Sequence, residues 1–301
     1  MILSVSRRTD IPAFYGRWFL NRLQAGAFYV RNPYNKNLVS LIEVSRENVD
    51  CLVFWTKNAI NFMQYLTFID DLGYNYYFHY TITPYHEDLE ILNNSKKEIV
   101  TNFKELSTRL GKEKVILRYD PILLNDKYDI AYHFKAFIRL CGELKNYTKK
   151  VVVSFLDVYQ KNSYIVKQNN LIRPNLAQIT KLMQGFSKIA QANNLELVTC
   201  AEEVALDVYG IKSNSCIDKE LIEKITNKKF KRVKYDKTRE FCLCLKCIDI
   251  GTYNTCQANC KYCYANNKQR MLKHDENSLL LNDILKDEKI VKRKDVTTDL
   301  E

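Results

Sequence analysis

Three cysteines stand close together late in the 301-residue chain: Cys256, Cys260 and Cys263, spaced C-x3-C-x2-C within residues 249–266, DIGTYNTCQANCKYCYAN. Three thiolates on one tight loop can ligate three irons of a 4Fe-4S cubane. The fourth iron then lacks a protein ligand and can coordinate a small molecule. Four further thiols, Cys200, Cys216, Cys242 and Cys244, form a second set. They can hold a second, fully ligated iron-sulfur cluster or a zinc ion, in an electron-relay or structural role. A competing reading of the same region is a structural zinc site built from Cys242, Cys244, Cys247 and one of the later thiols. Cys51 and Cys141 fall inside a predicted strand and a predicted helix and are expected in the core. All the other cysteines lie between Cys200 and Cys263, a density that points to metal or redox chemistry when the compartment is reducing.

Other residues could act with these thiols. Arg7, Arg8, Lys57 and Arg118 follow apolar runs and can bind a carboxylate or another anion. Asp120 and Asp157 can accept from ribose hydroxyls or move protons, although each alone reads first as a cap or a structural ion pair. The histidines (His79, His86, His133 and His274) show no metal-ligand spacing. His79 alternates with apolar neighbours and reads as a satisfied core residue. The 20 tyrosines can stack bases or fill a core, and their strand-like alternation favours packing. No Gly-rich phosphate loop and no nucleophile elbow is present.

The elements that must position these groups are legible as alternating runs. Short stretches rich in Val, Ile, Tyr and Phe predict strands at residues 2–6, 49–55, 76–83, 114–118, 150–155 and 195–199. Helical periodicity predicts helices at 14–25, 59–72, 96–110, 130–144 and 176–192, the first three ending at a glycine. A hairpin is expected from 28–31 and 38–44. Repeated β-α units imply an α/β fold with a parallel sheet, a TIM-like βα barrel or partial barrel, followed by a Cys-rich C-terminal segment. Polar residues close each apolar run, and in a barrel all these strand ends meet at one mouth. Residues 1–281 read as a single domain. Residues 282–301 read as a charged tail, a solvated helix or a frayed end. Hydrophobic residues make up 46% of the chain, and its net charge of +11 suits anionic partners, nucleic acid among them, or merely solvated helix faces. Neither a secretory signal nor a membrane-length apolar run is evident, so a cytoplasmic location is expected.

The C-x3-C-x2-C spacing resembles the hallmark of radical S-adenosylmethionine enzymes. Tyr262 stands where that superfamily has an aromatic residue near the cofactor adenine. The segments SRRTDIPAFYGRWFLNRLQAG, VRNP, VDCLVFWTKN, RYDPI and DIGTYNTCxxxCxYCYAN together resemble domain-of-unknown-function family 1848, a group similar to a permuted branch of that superfamily. The resemblance implies reductive cleavage of S-adenosylmethionine to a 5′-deoxyadenosyl radical, with electrons from a donor such as flavodoxin or ferredoxin. It also implies a circular permutation, because the superfamily's cluster loop normally follows the first barrel strand. Residues 247–251 would be the strand before the cluster loop, 265–272 the helix after it, and 2–6 the second strand. The superfamily's Gly-Gly-Glu segment is absent. SRRTD takes its place, which makes Asp10 the candidate for holding the methionyl amine. The substrate is not implied, and nucleic acid repair or modification is one reading. The alternative is a zinc-stapled nucleic-acid-binding protein without radical chemistry.

Overall fold

The computed structural model describes residues 1–35, 37–236, 239–265, 275–281 and 289–292. The apolar runs become strands β1 (Ile2–Val5), β2 (Ala27–Arg31), β3 (Leu38–Glu43), β4 (Cys51–Thr56), β5 (Tyr76–Thr81), β6 (Val115–Ile122), β7 (Lys150–Phe155), β8 (Glu196–Cys200), β9 (Lys212–Asn214), β10 (Ile248–Asp249) and β11 (Lys289–Lys292). Between them run helices α1 (Ile11–Phe14), α2 (Gly16–Gln24), α3 (Leu66–Asp71), α4 (Lys96–Leu110), α5 (Ile130–Leu144), α6 (Ser163–Gln168), α7 (Leu176–Ala192) and α8 (Lys219–Thr226).

Eight strands form one sheet in the order β10-β1-β4-β5-β6-β7-β8-β9, with every pairing parallel. This is an α/β fold consistent with a partial barrel. Parallel pairing requires a crossover between neighbours, which α4, α5 and α7 supply. Their starts are chemically marked. Ser95 and Glu98 form a reciprocal capping box at α4, and Asn175 and Gln178 do the same at α7.

Side-chain alternation along the strands makes two cores. Leu52, Phe54, Phe78, Leu117 and Val153 face the helices in the larger one. Their neighbours Cys51, Val53, Tyr77, Ile116 and Val152 face the other way, where no helix of the α4–α7 series covers them. The segments around Cys216, Ile217, Cys244 and Leu245 do.

Several expectations shift. The predicted helix 14–25 starts at Gly16 as α2, and Phe14 instead ends the short α1, because Tyr15 (φ −135°) breaks the turn between them. The first half of 59–72 is a 3-10 helix, Ile60–Tyr65, that leads into α3. The Gly26, Gly73 and Gly111 stops have positive φ, as expected. Lys289–Lys292 is neither helix nor frayed end: it pairs in parallel with β3, the free edge of the β2–β3 hairpin. An open strand edge offers unpaired backbone groups that a charge pattern does not reveal. The expected helix 265–272, His274 and most of the tail lie outside the described residues. No helix among the described residues is long and apolar enough to cross a membrane.

The helix layer is locked by aromatics. Phe186 on α7 stacks on Phe137 of α5 at 3.8 Å, and its ring also meets the edge of Tyr119 on β6. Phe186→Ala is expected to cost about 3–5 kcal/mol. The check is the urea unfolding midpoint, with an unchanged slope showing that the loss is in stability alone.

Candidate metal centre

The cysteine loop begins at a buried carboxylate. Asp249, at the end of β10, accepts hydrogen bonds from Ser4 Oγ (2.9 Å), Ser6 Oγ (2.5 Å), Arg7 N (2.8 Å) and Gly251 N (3.0 Å). It also faces the guanidinium groups of Arg7 and Arg8, each at 3.9 Å. These bonds tie the start of the loop to the end of β1. Gly251 is required there, because a β-carbon would strike the Ser6 hydroxyl.

From Asp249 the chain crosses the carboxyl ends of the sheet. Tyr15 donates to Thr255 O. Ile91 N donates to Ala258 O and Lys261 N to Leu89 O, both at 3.0 Å, so the loop lies against the segment that follows β5. Asn162, beyond β7, donates to Tyr262 O at 3.1 Å. Asn254 and Asn259 take the left-handed conformation where the loop turns sharply. Tyr85, Leu123 and Leu156 form its apolar floor with Cys260 and Tyr262.

The three thiols sit within electrostatic reach of one another. Burial, then the charge of Asp10, pushes Cys256 up to about 12. Burial raises Cys260 well above the ordinary thiol range, against the pull of Lys57. Cys263 Sγ accepts from Ala265 N at 3.3 Å. Among the described residues, no three Cys, His, Asp or Glu side chains already surround a common point as ligands of a metal do. The donor chemistry still fits a thiophilic iron centre: three sulfurs on one loop, with Lys57 nearby and an N–H donor on one sulfur.

The expected cofactor-binding residues divide between two places. Asp10, Lys57 and Tyr262 lie beside the loop. Asp10 caps α1 through Ala13 N (3.0 Å) and accepts from Lys57 N (2.7 Å). Burial lifts its carboxyl to about 6 in spite of those bonds. Arg8 reaches Gly251 O and lies over the Tyr253 ring. Arg7 instead binds Asp236 (3.0 Å) and Cys247 Sγ (3.3 Å). Arg118 points to the inner face of the sheet, where it pairs with Asp120 and donates to Cys216 Sγ at 2.8 Å.

Cys200, Cys216, Cys242 and Cys244 do come together. The sulfurs of Cys200 and Cys216 are 3.0 Å apart. Cys244 is hydrogen-bonded to both Cys216 and Cys242, which holds it below the ordinary thiol range. Cys51 and Cys141 are buried in the core, as expected. His79 is also in the core, stacked on Trp55 with Nε2 at 2.7 Å from Cys216 O.

Glu90 escaped the sequence reading, because it lies in a loop with no periodicity or motif. It is fully buried, paired with Lys57 (3.0 Å) and Lys96 (2.9 Å), and it accepts from Thr83 and Tyr262. Burial alone would raise its carboxyl, but the two ammonium groups and the two hydroxyls outweigh burial and hold it at about 2. Its folded value lies below its unfolded one. Its contribution to stability is therefore complete above about pH 4.5 and is lost as pH falls toward 2. Lys57 is raised, whereas burial and the neighbouring Lys57 lower Lys96.

Glu90→Gln leaves two ammonium groups without their carboxylate and is expected to cost about 3 kcal/mol at neutral pH, shrinking toward zero in acid. Urea unfolding across pH reads both. Gly251→Ala is expected to lower stability by about 1–3 kcal/mol through Ser6. Gly142→Ala, in open space within α5, should be neutral or stabilising by up to about 1 kcal/mol. Melting temperatures of the pair give the comparison.

No curated protein and no solved structure matches the chain. The family model described as a domain of unknown function (DUF1848) matches residues 2–265. That span runs from β1 to the end of the cysteine loop and takes in every sulfur described above, so the chain belongs to the DUF1848 family.

Proposed function

We propose that the chain is a radical S-adenosylmethionine enzyme whose 4Fe-4S cluster is held by Cys256, Cys260 and Cys263. One observation carries the reading: the C-x3-C-x2-C loop lies over the carboxyl ends of parallel strands and touches segments that follow β5 and β7. In βα barrels that end carries the chemistry. The sheet order supports a permuted barrel, since β10, which leads into the loop, lies beside β1 although it is far away in sequence.

When bound, the reduced cluster supplies the electron that cleaves S-adenosylmethionine to methionine and a 5′-deoxyadenosyl radical. The chain's own residues do the rest. Asp249 sets where the loop starts, and Tyr262 is anchored by Glu90 and packed against the edge of Tyr85. In this reading Tyr262 flanks the cofactor adenine, and Arg8 and Lys57 receive its carboxylate. Asp10 serves its amine by exchanging one of its present backbone partners. Arg7 and Arg118 are bound elsewhere, Arg7 to Asp236 and Cys247 and Arg118 to Asp120 and Cys216. A small electron carrier such as flavodoxin or ferredoxin docks at this mouth, and the site awaits a substrate, nucleic acid among the candidates.

The test is iron and sulfide content of anaerobically purified protein, with electron paramagnetic resonance after reduction. About four irons per chain, and a signal altered by S-adenosylmethionine, are expected, with both lost in Cys260→Ser. No iron after anaerobic reconstitution and no effect of the cofactor would sink the proposal and leave the zinc-stapled nucleic-acid-binding protein.

A further inference from the structure

Away from the cysteine loop, four sulfurs meet where the sheet is left open. β9 and β10 are its two edges, and among the described residues they do not pair. The segments beside them join instead: Leu245 N donates to Ile217 O at 3.0 Å, and Cys216 N and Ile217 N donate to Cys244 Sγ at 3.2 and 3.4 Å. Cys200 closes β8 and touches Cys216. Cys242, two residues before Cys244, is joined to it by a side-chain hydrogen bond.

We infer that Cys200, Cys216, Cys242 and Cys244 form a tetrathiolate site for a single zinc ion, which clamps the seam between the two edges of the sheet. The inference is independent of the radical reading. Contact between sulfurs selects a single ion. Four thiolates on one zinc, each at about 2.3 Å from it, stand about 3.8 Å from one another. A cubane holds each cysteine on a different iron, so its cysteine sulfurs do not touch.

The surroundings suit the charge. Binding sends the remaining thiol protons to solvent and leaves a centre of net charge −2: four thiolates on one Zn2+. Arg118 Nη1 lies 2.8 Å from Cys216 Sγ, and Arg239 lies within electrostatic reach of Cys200. The two backbone N–H groups on Cys244 are donors of the kind that orient a thiolate ligand. As they stand, the sulfurs run as a chain of contacts, 200–216–244–242, and not as a shell. Cys242 is the member with freedom to turn, being half-buried beside a cavity of about 510 Å3 lined by Tyr235, Asp236 and Arg239. Cys247, by contrast, is held by Arg7 and is not a ligand here.

The test uses the full chain carrying Cys256→Ala, Cys260→Ala and Cys263→Ala, so that the loop thiols report nothing. The chain is titrated anaerobically with cobalt(II) as a spectroscopic stand-in for zinc. The expected result is about one cobalt per chain with the charge-transfer and ligand-field bands of a tetrahedral tetrathiolate, displaced by zinc. Adding Cys242→Ser should weaken binding at least about tenfold and shift those bands. Absence of cobalt binding overturns the inference, as does binding indifferent to both Cys242→Ser and Cys216→Ser. A stable Cys200–Cys216 disulfide in the anaerobic protein also overturns it, as does about four irons with sulfide in this variant. If the triple variant does not fold, Cys242→Ser in the otherwise unchanged chain decides the question. Zinc content should fall by about one per chain while iron content is unchanged, and no change in zinc overturns the site. Iron on the loop and zinc at the seam are counted separately, so either proposal can fail alone.

Discussion

Everything at the mouth of this fold depends on one buried carboxylate. Asp249 ends a strand of only two residues, too short to hold its place by ladder hydrogen bonds alone. Two serine hydroxyls and two backbone N–H groups converge on it, with two guanidinium groups behind. A buried anion is tolerable only with that degree of pairing. The same bonds decide that residues 250–265 leave the sheet beside β1. Arg8 and the cysteine loop are thereby brought to the same end of the sheet despite a separation of more than 240 positions in sequence.

The sheet has two unlike faces; one of them carries the second group of thiols, and the cysteine loop lies over the carboxyl end. Helices cover one face through a continuous aromatic and aliphatic core. The other face is filled by the chain's own late segments, and it contains Arg118, Asp120, Ser154 and the sulfurs of Cys200 and Cys216. Asp120 stands between the two thiol groups. It pairs with Arg118, which donates to Cys216, and it lies within electrostatic reach of Lys57, which in turn faces Cys260.

Glu90 shows how the loop is held from below. Its carboxylate receives Lys57, Lys96, Thr83 and the Tyr262 hydroxyl, so the aromatic side chain next to Cys263 is fixed by groups that belong to three different segments. Such a site tolerates little rearrangement, because removal of the carboxylate leaves two ammonium groups without their counter-charge.

The sequence by itself determined the local pieces. α4, α5, α7 and β7 occur at the predicted boundaries, because capping residues, helical periodicity and β-branched runs act over a few residues. The spacing of Cys256, Cys260 and Cys263 on one loop was equally legible, as was the burial of Cys51, Cys141 and His79. The tertiary structure alone decided which distant groups meet. The neighbouring of β10 and β1 was already implied by the family resemblance, but the structure set Arg118 against Cys216 instead of the loop and brought Glu90 under Tyr262. It also paired Lys289–Lys292 with a hairpin edge. Those outcomes rest on charge pairing and on unpaired strand edges, whose partners are chosen by three-dimensional proximity and leave no periodic mark in the chain.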